Sequence, residues 1–208
     1  MAMVPEPGGE QKVDPALLPA PVQAGLPNVL LLGDSISIAY TLPVRALLSG
    51  IANVHRPPYN TGTTRMGLEK NAEILGERRW DVIHFNYGLH DVKLIDGANQ
   101  VPLDEYAANL KLLARGYQAA ARRVVWCSTT PVPEGNLSPA RHAKDAPLYN
   151  RAAAGVMAEL KIPTHDLFAF ALARVTEIQC PMNVHFTEAG SAALATSVAA
   201  AIRAALVS

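Results

Sequence analysis

The segment NVLLLGDSIS, residues 28–37, decides the fold of this chain. Its four apolar residues at 29–32 are typical of a parallel strand that is covered on both faces. The run stops at Gly33-Asp34-Ser35, and apolar residues at helical spacing follow. A strand that leads into a helix in this way places a small hydroxyl at the carboxyl edge of a sheet, beside the free N–H groups of a helix amino end. Because those groups favour developing negative charge, Ser35 is a candidate nucleophile; a role in helix capping alone is the competing interpretation.

The composition is that of one globular domain. The chain has 208 residues, half of them apolar, which is enough for a sizeable core. Lysine plus arginine number 18, as do aspartate plus glutamate, and this balance does not favour nucleic-acid binding. No apolar run approaches a membrane span. Cys127 and Cys180 are too few for a disulfide framework, and whether they are bridged stays open, as does the oligomeric state.

The first 27 residues are rich in Pro, Gly and Ala and show no periodicity. We therefore expect a flexible arm over 1–27 and a single domain over 28–208. The arm has no basic start followed by an apolar core, so no signal peptide is visible. The expected location is periplasmic or secreted if a signal peptide has been removed, and cytoplasmic otherwise.

Strand-like and helix-like patterns alternate along the domain with short connections, which predicts a parallel sheet with helices on both faces. The predicted strands are 29–32, 53–55, 80–87, 124–127 and 162–166, and the predicted helices are 41–48, one that ends near 75, 102–122, 149–160, 167–175 and about 187–206.

Ligands of such a sheet bind at the carboxyl ends of its strands. The segments expected there are Gly33-Asp34-Ser35, the glycine-rich loop around Gly62, the segment 88–91 and the turn 129–131. His185 precedes the last predicted helix, in a loop that can return to the same edge. A serine, a histidine and loops that present backbone N–H groups are what acyl transfer needs.

Four segments together resemble the SGNH (GDSL-type) hydrolases over roughly residues 28–206. GDSIS at 33–37 is similar to the first family block, NTGTTRMG at 60–67 to the second, GLHD at 88–91 to the third and NVHFTEAG at 183–190 to the last. The resemblance implies a three-layer α/β/α sandwich with a parallel, flavodoxin-like five-stranded sheet and no cofactor. It implies Ser35 as the nucleophile, His185 as the general base, and an oxyanion hole formed by the Ser35 and Gly62 N–H groups with His90. The Gly-x-Ser-x-Gly elbow of α/β-hydrolases is absent around Ser35.

The chain departs from the family pattern at the acid that usually lies three residues before the catalytic histidine. Met182 occupies that place, and Asn183 is the nearest polar residue. An asparagine oxygen can accept the imidazole N–H, but it cannot stabilise imidazolium as a carboxylate does. A backbone carbonyl in the 180–183 loop, Glu188 or Asp166 are the alternative partners of His185.

A second departure concerns the third block, where His90 stands in place of the usual asparagine donor. A neutral imidazole donates from one ring nitrogen and an imidazolium from both. His90 can therefore replace the asparagine, with a dependence on pH.

Other polar residues have weaker claims. Arg65 and Tyr149 are candidate substrate contacts, against surface solvation for the first and packing for the second. Asp34 and Asp91 are expected to be structural, as acceptors around their turns. His84 is expected to be a packed core residue. The remaining histidines, His55, His142 and His165, have no companions at metal-ligand spacing, so no metal site is expected.

The sequence therefore predicts a serine esterase that acts on short-chain acyl esters, acetyl above all. Resemblance to the sugar esterases of the family suggests a carbohydrate ester substrate. Because the acid is missing, a degenerate site that binds an acylated glycan without cleaving it is an alternative. A lipase or thioesterase is another, although no long apolar acyl groove is evident.

Overall fold

A computed structural model describes residues 13–208. Seven strands and eight α-helices follow one another along this part of the chain. The strands are Asn28–Leu32 (β1), Asn53–His55 (β2), Trp80–Phe85 (β3), Leu94–Ile95 (β4), Ala98–Asn99 (β5), Ala121–Cys127 (β6) and Thr164–His165 (β7), and the helices are Ser35–Leu47 (α1), Thr64–Glu69 (α2), Asn71–Leu75 (α3), Leu103–Ala120 (α4), Asp145–Leu160 (α5), Leu167–Leu172 (α6), Val175–Ile178 (α7) and Glu188–Val207 (α8).

Five of the strands form a parallel sheet in the order β2-β1-β3-β6-β7. Numbered along the chain, this is the 2-1-3-4-5 order of flavodoxin-like folds. The order reverses between β1 and its neighbours, and the carboxyl ends of the strands beside such a reversal are where these folds bind ligands. The predicted α/β/α sandwich is confirmed.

The alternation of side chains along β1 explains the two helical layers. Val29 and Leu31 face one layer, where they join a core cluster with α1 and α8. Leu30 and Leu32 face the other layer and pack with residues of α4 and α5. Because every residue of 29–32 is buried, the strand needs apolar side chains on both faces.

Helix α1 begins at Ser35, six residues before the predicted start. The Asp34 side chain caps it by accepting the Ile36 N–H at 2.9 Å. Pro43, which would lie in the first turn of a helix that starts at residue 41, therefore lies in the interior of α1. Burial of Tyr40 and Val44 against the sheet stabilises the helix despite that proline.

Other differences from the prediction are local. The helix after the Gly62 loop is two short helices that meet at Lys70, and α5 begins at Asp145 rather than at residue 149. The antiparallel pair β4–β5 was not predicted, since two-residue strands carry no periodicity.

The described part of the predicted arm lies against the domain. A 3-10 helix, Pro15–Leu17, contacts α1 and buries Ala16, which is 2% exposed. The Asn53 side chain accepts the Gln23 N–H at 2.8 Å and donates to the Gln23 carbonyl at 3.0 Å. These contacts involve side-chain and backbone polar groups that periodicity does not show. Over 13–27 the chain is therefore attached to the surface of the domain.

Helix α8 is the one described helix that is long and apolar enough to cross a membrane by those two criteria, although the sequence predicts no membrane span. Of its apolar side chains, Leu194, Val198 and Ile202 are fully buried in the core cluster that α8 shares with α1, whereas Val207 is 88% exposed. An alanine-rich helix packed in a core has the same composition, because small residues let helices approach closely.

Candidate active site

The candidate nucleophile stands where the sequence places it. Ser35 is the first residue of α1 and follows the carboxyl end of β1. A Cβ on Gly33 would lie 2.8 Å from the Ser37 Cβ, so the close approach of strand and helix requires glycine there. The Ser35 N–H belongs to the first helical turn, whose N–H groups have no carbonyl partner within the helix. The Ser35 hydroxyl is thus held beside free backbone donors.

Ser35, His185 and Asn183 form a chain of hydrogen bonds. The Ser35 Oγ lies 2.9 Å from the His185 Nε2, and the His185 Nδ1 lies 2.8 Å from the Asn183 Oδ1. The backbone N–H of His185 donates to the same Asn183 oxygen at 3.0 Å, which identifies the atom facing the ring as the oxygen. The ring hydrogen is therefore on Nδ1, and the Nε2 lone pair faces the serine hydroxyl.

A tight loop between α7 and α8 carries this part of the site. The Asn183 N–H donates to the Cys180 carbonyl at 3.2 Å, and the Cys180 N–H donates to the His185 carbonyl at 3.0 Å. Met182 has a φ of +52° and is 57% exposed, and the His185 Nδ1 contacts Asn183 and not Met182. The loop geometry thus gives the orienting position to residue 183 rather than to residue 182.

The alternative partners of His185 lie elsewhere. Asp166 caps α6 and accepts the Ser128 hydroxyl at 3.0 Å. Glu188 is an exposed residue in the first turn of α8. Neither carboxylate takes the place of the Asn183 amide.

Three polar side chains lie beside the serine. His90, Asn60 and Lys93 line the same cavity as Ser35. Lys93 Nζ lies 3.1 Å from the His90 Nδ1, and an ammonium group can only donate. The Asn60 Nδ2 lies on the other side of the ring, 3.4 Å from the His90 Nε2, and is also a donor. Because the Lys93 contact is shorter and charge-assisted, we assign the acceptor role to Nδ1 and the ring hydrogen to Nε2. Burial lowers the pKa of His90, the charge of Asp34 opposes this, and the charge of Lys93 lowers it further, so the net effect favours the neutral ring.

The loop amide of Gly62 is oriented differently from the prediction. The Gly62 N–H donates to the Asn60 Oδ1 at 2.9 Å, within a turn in which Gly62 has a φ of +64°. With its oxygen held in this way, the Asn60 side chain presents its NH2 group to the cavity, 3.4 Å from the His90 Nε2. Two donor nitrogens thus face each other with no acceptor between them in the described structure. An oxyanion is the group that would satisfy both.

The cavity next to Ser35 and His185 has a volume of about 270 Å³. This is close to the lower end of the roughly 300–1,000 Å³ of small-molecule sites. Besides the residues already described, it is lined by Arg141 and by Leu137, Ser138, Pro139, Met182 and Val184.

Arg141 and Lys93 were not identified from the sequence, because they come from a polar loop and from a turn. The Leu94 N–H donates to the Ala140 carbonyl at 2.9 Å, which joins the two segments. The Lys93 N–H donates to the His90 carbonyl at 3.2 Å and closes the turn that follows the third block. In the sequence, only the position of Lys93 three residues after His90 indicates that its side chain lies near the site.

Arg56 is a buried support of the nucleophile turn that the sequence did not indicate. Its guanidinium donates to the Thr41 hydroxyl at 2.7 Å, to the Ser37 hydroxyl at 3.2 Å and to the Gly33 carbonyl at 3.4 Å. Burial lowers its pKa to about 10. These bonds tie the end of β2 to the beginning of α1.

Two predicted substrate contacts are not part of the cavity. Arg65 is paired with Glu105 through two nitrogens, at 2.5 and 2.6 Å, because α4 brings that carboxylate alongside. Tyr149 is buried in the core, and its hydroxyl donates to the Val101 carbonyl at 2.7 Å. Both side chains therefore make contacts within the protein and do not line the cavity.

The two aspartates next to the site make structural contacts, as expected. Asp34 caps α1. The Asp91 Oδ1 accepts the Thr64 N–H at 2.9 Å and the Thr64 hydroxyl at 2.6 Å. Its Oδ2 is buried with no hydrogen-bond partner among the described residues, and burial raises the pKa of Asp91 to about 6.

The sheet brings together three residues that are distant in sequence, although the spacing of the histidines suggested no companions for His165. His84, Cys127 and His165 offer ligand atoms within 4.8 Å of one another. The His84 Nε2 lies 3.1 Å from the His165 Nδ1, and the His165 Nε2 lies 2.9 Å from the Ser197 Oγ. Burial lowers the pKa of both histidines, to about 4 for His165. A hydrogen-bonded pair of neutral imidazole rings accounts for these contacts.

Cys127 and Cys180 are both free thiols and do not form a disulfide.

Solved structures identify the class of fold. The acetylxylan esterase Axe2 from Geobacillus stearothermophilus is 18% identical over 83% of this chain and 92% of that chain, with a TM-score of 0.67. A lipase/acylhydrolase from Enterococcus faecalis is 18% identical over 86% and 96%, with a TM-score of 0.74. A candidate SGNH hydrolase from Slackia heliotrinireducens is 22% identical over 86% and 100%, with a TM-score of 0.65. The chain has the fold of the SGNH-type hydrolases, the family that its four sequence blocks resemble.

Two further structures of Axe2 are described as catalytic mutants, one with a serine and one with an aspartate replaced by alanine. No protein-family model matches the chain. A comparison with curated proteins also finds no match.

Proposed function

We propose that the chain is a serine esterase that hydrolyses short-chain acyl esters, acetyl esters above all, of a carbohydrate alcohol. The observation that carries the proposal is the hydrogen-bonded chain from the Ser35 Oγ through His185 to the Asn183 Oδ1, at the carboxyl edge of the sheet. This is the arrangement of nucleophile, base and orienting acceptor that acyl transfer uses. It needs no cofactor.

The first half of the reaction follows from these contacts. The Ser35 oxygen attacks the ester carbonyl while the His185 Nε2 takes the hydroxyl proton. The Asn183 oxygen holds the hydrogen on the His185 Nδ1, so the lone pair of Nε2 stays directed at the serine. The imidazolium then gives the proton to the departing alcohol, and an acyl group remains on Ser35. In the second half, His185 activates a water molecule that releases the acid in the same way.

The negative charge on the carbonyl oxygen needs donors at the same time. The Ser35 N–H, the Asn60 Nδ2 and the His90 Nε2 are available at the cavity, and donors that are already in place cost no reorganisation during the reaction. In this proposal Asn60 takes the role that the sequence resemblance assigns to the Gly62 N–H, because that N–H is bonded to the Asn60 oxygen. Gly62 and its turn position the donor.

Two considerations support a short acyl group and a sugar alcohol. A cavity of about 270 Å³ lined largely by polar residues has little room for a long hydrocarbon chain. Among the proteins with this fold, Axe2 is named as an acetylxylan esterase, and its fold is shared over 83% of this chain.

The test is replacement of Ser35 by alanine, with p-nitrophenyl esters of two to twelve carbons as substrates. We expect wild-type protein to cleave the acetate fastest and Ser35→Ala to lose essentially all activity while its thermal unfolding is unchanged. Ser49→Ala, an exposed serine at the other end of α1, is the matched control. Activity that survives in Ser35→Ala would refute the assignment of the nucleophile.

A second candidate is a protein that binds acylated glycans without cleaving them, since an amide of Asn183 and not a carboxylate contacts the His185 Nδ1. Binding of an acetylated oligosaccharide by wild-type protein that cleaves none of the esters would favour it. A preference for the longer esters would instead favour a lipase or thioesterase.

A further inference from the structure

The charged side chains that line the cavity are both cationic. Lys93 and Arg141 lie on its wall together with Ser35 and His185, and none of the lining residues is an aspartate or a glutamate. Neither cation has a carboxylate within ion-pair distance in the described part of the chain. The buried carboxylate of Asp34, which caps α1, acts on both cations through space and raises the pKa of each, against the larger effect of burial. The side chains that line the cavity next to the nucleophile therefore carry a net positive charge.

The Arg141 guanidinium is held in a fixed orientation. It is 7% exposed, its Nε donates to the Leu89 carbonyl at 2.8 Å, and its Nη1 donates to the Pro139 carbonyl at 3.1 Å. These two bonds leave Nη2 without an acceptor among the described residues. Burial removes part of the solvation of the guanidinium and lowers the pKa of Arg141, and the charge of Asp34 acts in the opposite direction. A rigid, partly desolvated guanidinium is suited to bind an anion.

Lys93 adds a second charge on the same wall. One of its three N–H groups reaches the His90 Nδ1, so two remain for another acceptor. Burial lowers its pKa, and the charge of Arg141 contributes in the same direction. Two cations that destabilise each other next to a cavity are both stabilised when an anion binds between them.

The transition-state oxyanion does not account for this pair. That charge is already served by the donors of Ser35, Asn60 and His90. A short acyl group also occupies only part of the cavity, so the rest of it, with Lys93 and Arg141, faces the alcohol. We propose that the alcohol carries a carboxylate, and that the substrates are short-chain acyl esters of uronic-acid-type sugars. This inference rests on the proposed esterase function and narrows its substrate class.

The experiment compares two acetyl esters that differ in one group. O-acetylated methyl glucuronide and O-acetylated methyl glucoside share ring and ester and differ in a carboxylate against a CH2OH group. We expect wild-type protein to favour the glucuronide by about tenfold or more in kcat/KM, as one well-placed charge-assisted hydrogen bond allows. Lys93→Met should reduce this preference severalfold, Lys93→Arg should keep most of it, and Arg141→Lys should reduce it.

The preference, a ratio of two rates on one variant, cancels any loss of rate that a Lys93 variant suffers through His90. Arg122→Met, an exposed arginine at the amino end of β6, is the control that should leave the preference unchanged. A wild-type preference of one or below, or one that Lys93→Met leaves unchanged, would overturn the anion site while leaving ester hydrolysis intact.

A binding measurement keeps the inference independent of catalysis. Calorimetric titration of Ser35→Ala with methyl glucuronide and with methyl glucoside should show binding of the glucuronide only. The double variant Ser35→Ala/Lys93→Met should bind the glucuronide more weakly. Equal binding of both sugars, or binding of neither, would overturn the inference. If wild-type protein cleaves neither ester and Ser35→Ala still binds the glucuronide, the proposed esterase function fails and the anion site stands.

Discussion

Replacing Asn183 by aspartate should raise the rate of ester cleavage. The substitution exchanges an amide NH2 for an oxygen and leaves the other atoms in place. One carboxylate oxygen would keep the position 2.8 Å from the His185 Nδ1 and 3.0 Å from the His185 backbone N–H. The change thus adds a negative charge next to the imidazolium that forms when Ser35 is deprotonated.

The size of the gain follows from what the wild-type site already has. In a serine protease the reverse change costs roughly 10⁴ in turnover, largely because the imidazole takes the wrong tautomer. Here the Asn183 oxygen already holds the correct tautomer, so only the attraction between charges is missing. Unit charges about 4 Å apart attract by about 1 kcal/mol in water and about 4 kcal/mol near a protein surface. Because Asn183 and His185 are both exposed, about 1–2 kcal/mol is reasonable, or roughly 5- to 30-fold in rate.

The assay is the initial rate of p-nitrophenyl acetate cleavage at pH 7.5, with kcat/KM compared between variants. Asn183→Ala should lose roughly 100-fold or more, since the tautomer is no longer held. Met182→Asp should give no gain, because the His185 Nδ1 is already occupied by the Asn183 oxygen.

Two results would refute this reasoning. An unchanged rate in Asn183→Asp with a near-normal rate in Asn183→Ala would mean that Ser35 and His185 act as a dyad. A gain above about 10³ in Asn183→Asp would mean that the wild-type amide does not hold the tautomer.

Three further predictions concern the donors, the packing of the site loop and the titration of the core. His90→Leu should lower kcat by about 10²–10³, the cost of one oxyanion donor, and His90→Asn should retain far more activity; equal losses would exclude a donor role. Gly190→Ala should destabilise the fold by about 1–3 kcal/mol in urea unfolding, because the new Cβ would lie 2.2 Å from the Ile178 carbonyl oxygen. Gly155, an exposed helical glycine with open space around it, is the control, and Gly155→Ala should stabilise the fold by about 0.5–1 kcal/mol. Similar effects of the two substitutions would contradict the packing around Gly190. Burial raises the pKa of Asp91 from 3.8 to about 6, so this group lowers the stability of the fold as pH rises between those values. Burial lowers the pKa of His165 from 6.5 to about 4, so this group raises the stability of the fold as pH rises over a similar range. Each effect is about 3 kcal/mol and they offset each other, so Asp91→Asn should become more stable from pH 4 to pH 6.5 relative to wild type in urea unfolding, and parallel pH profiles would refute the assignment.

Much of the scaffold could be predicted because its signals are local. The apolar run 29–32 requires a strand buried on both faces, and the structure has β1 there with both core clusters against it. The order of strand-like and helix-like segments leads to the parallel sheet through the general handedness of such connections. Ser35 then lies at the carboxyl edge as a consequence of chain direction alone.

The partners of individual polar side chains could not be predicted in the same way. Arg65 stands in the second block, but its guanidinium binds Glu105, which lies 40 positions further along on α4. A long side chain of this kind goes to whichever acceptor the packing of helices brings within reach. The Gly62 N–H is likewise taken by a side chain two residues before it, which a pattern of residue types does not show.

The sequence by itself determined the layered fold and the position of the nucleophile. It also named Asn183 as one of several possible partners of the His185 ring. Each depends on spacing along a short segment or on the period of a strand or helix. Only the tertiary structure decided that the Asn183 oxygen faces the His185 ring and that Asn60 presents its amide to the cavity. It also brought Lys93 and Arg141 onto one wall beside Ser35. The physical reason is that hydrogen bonds and charges act over a few ångströms in space, whereas the direction of a side chain and the approach of distant segments are set by the packing of the whole domain.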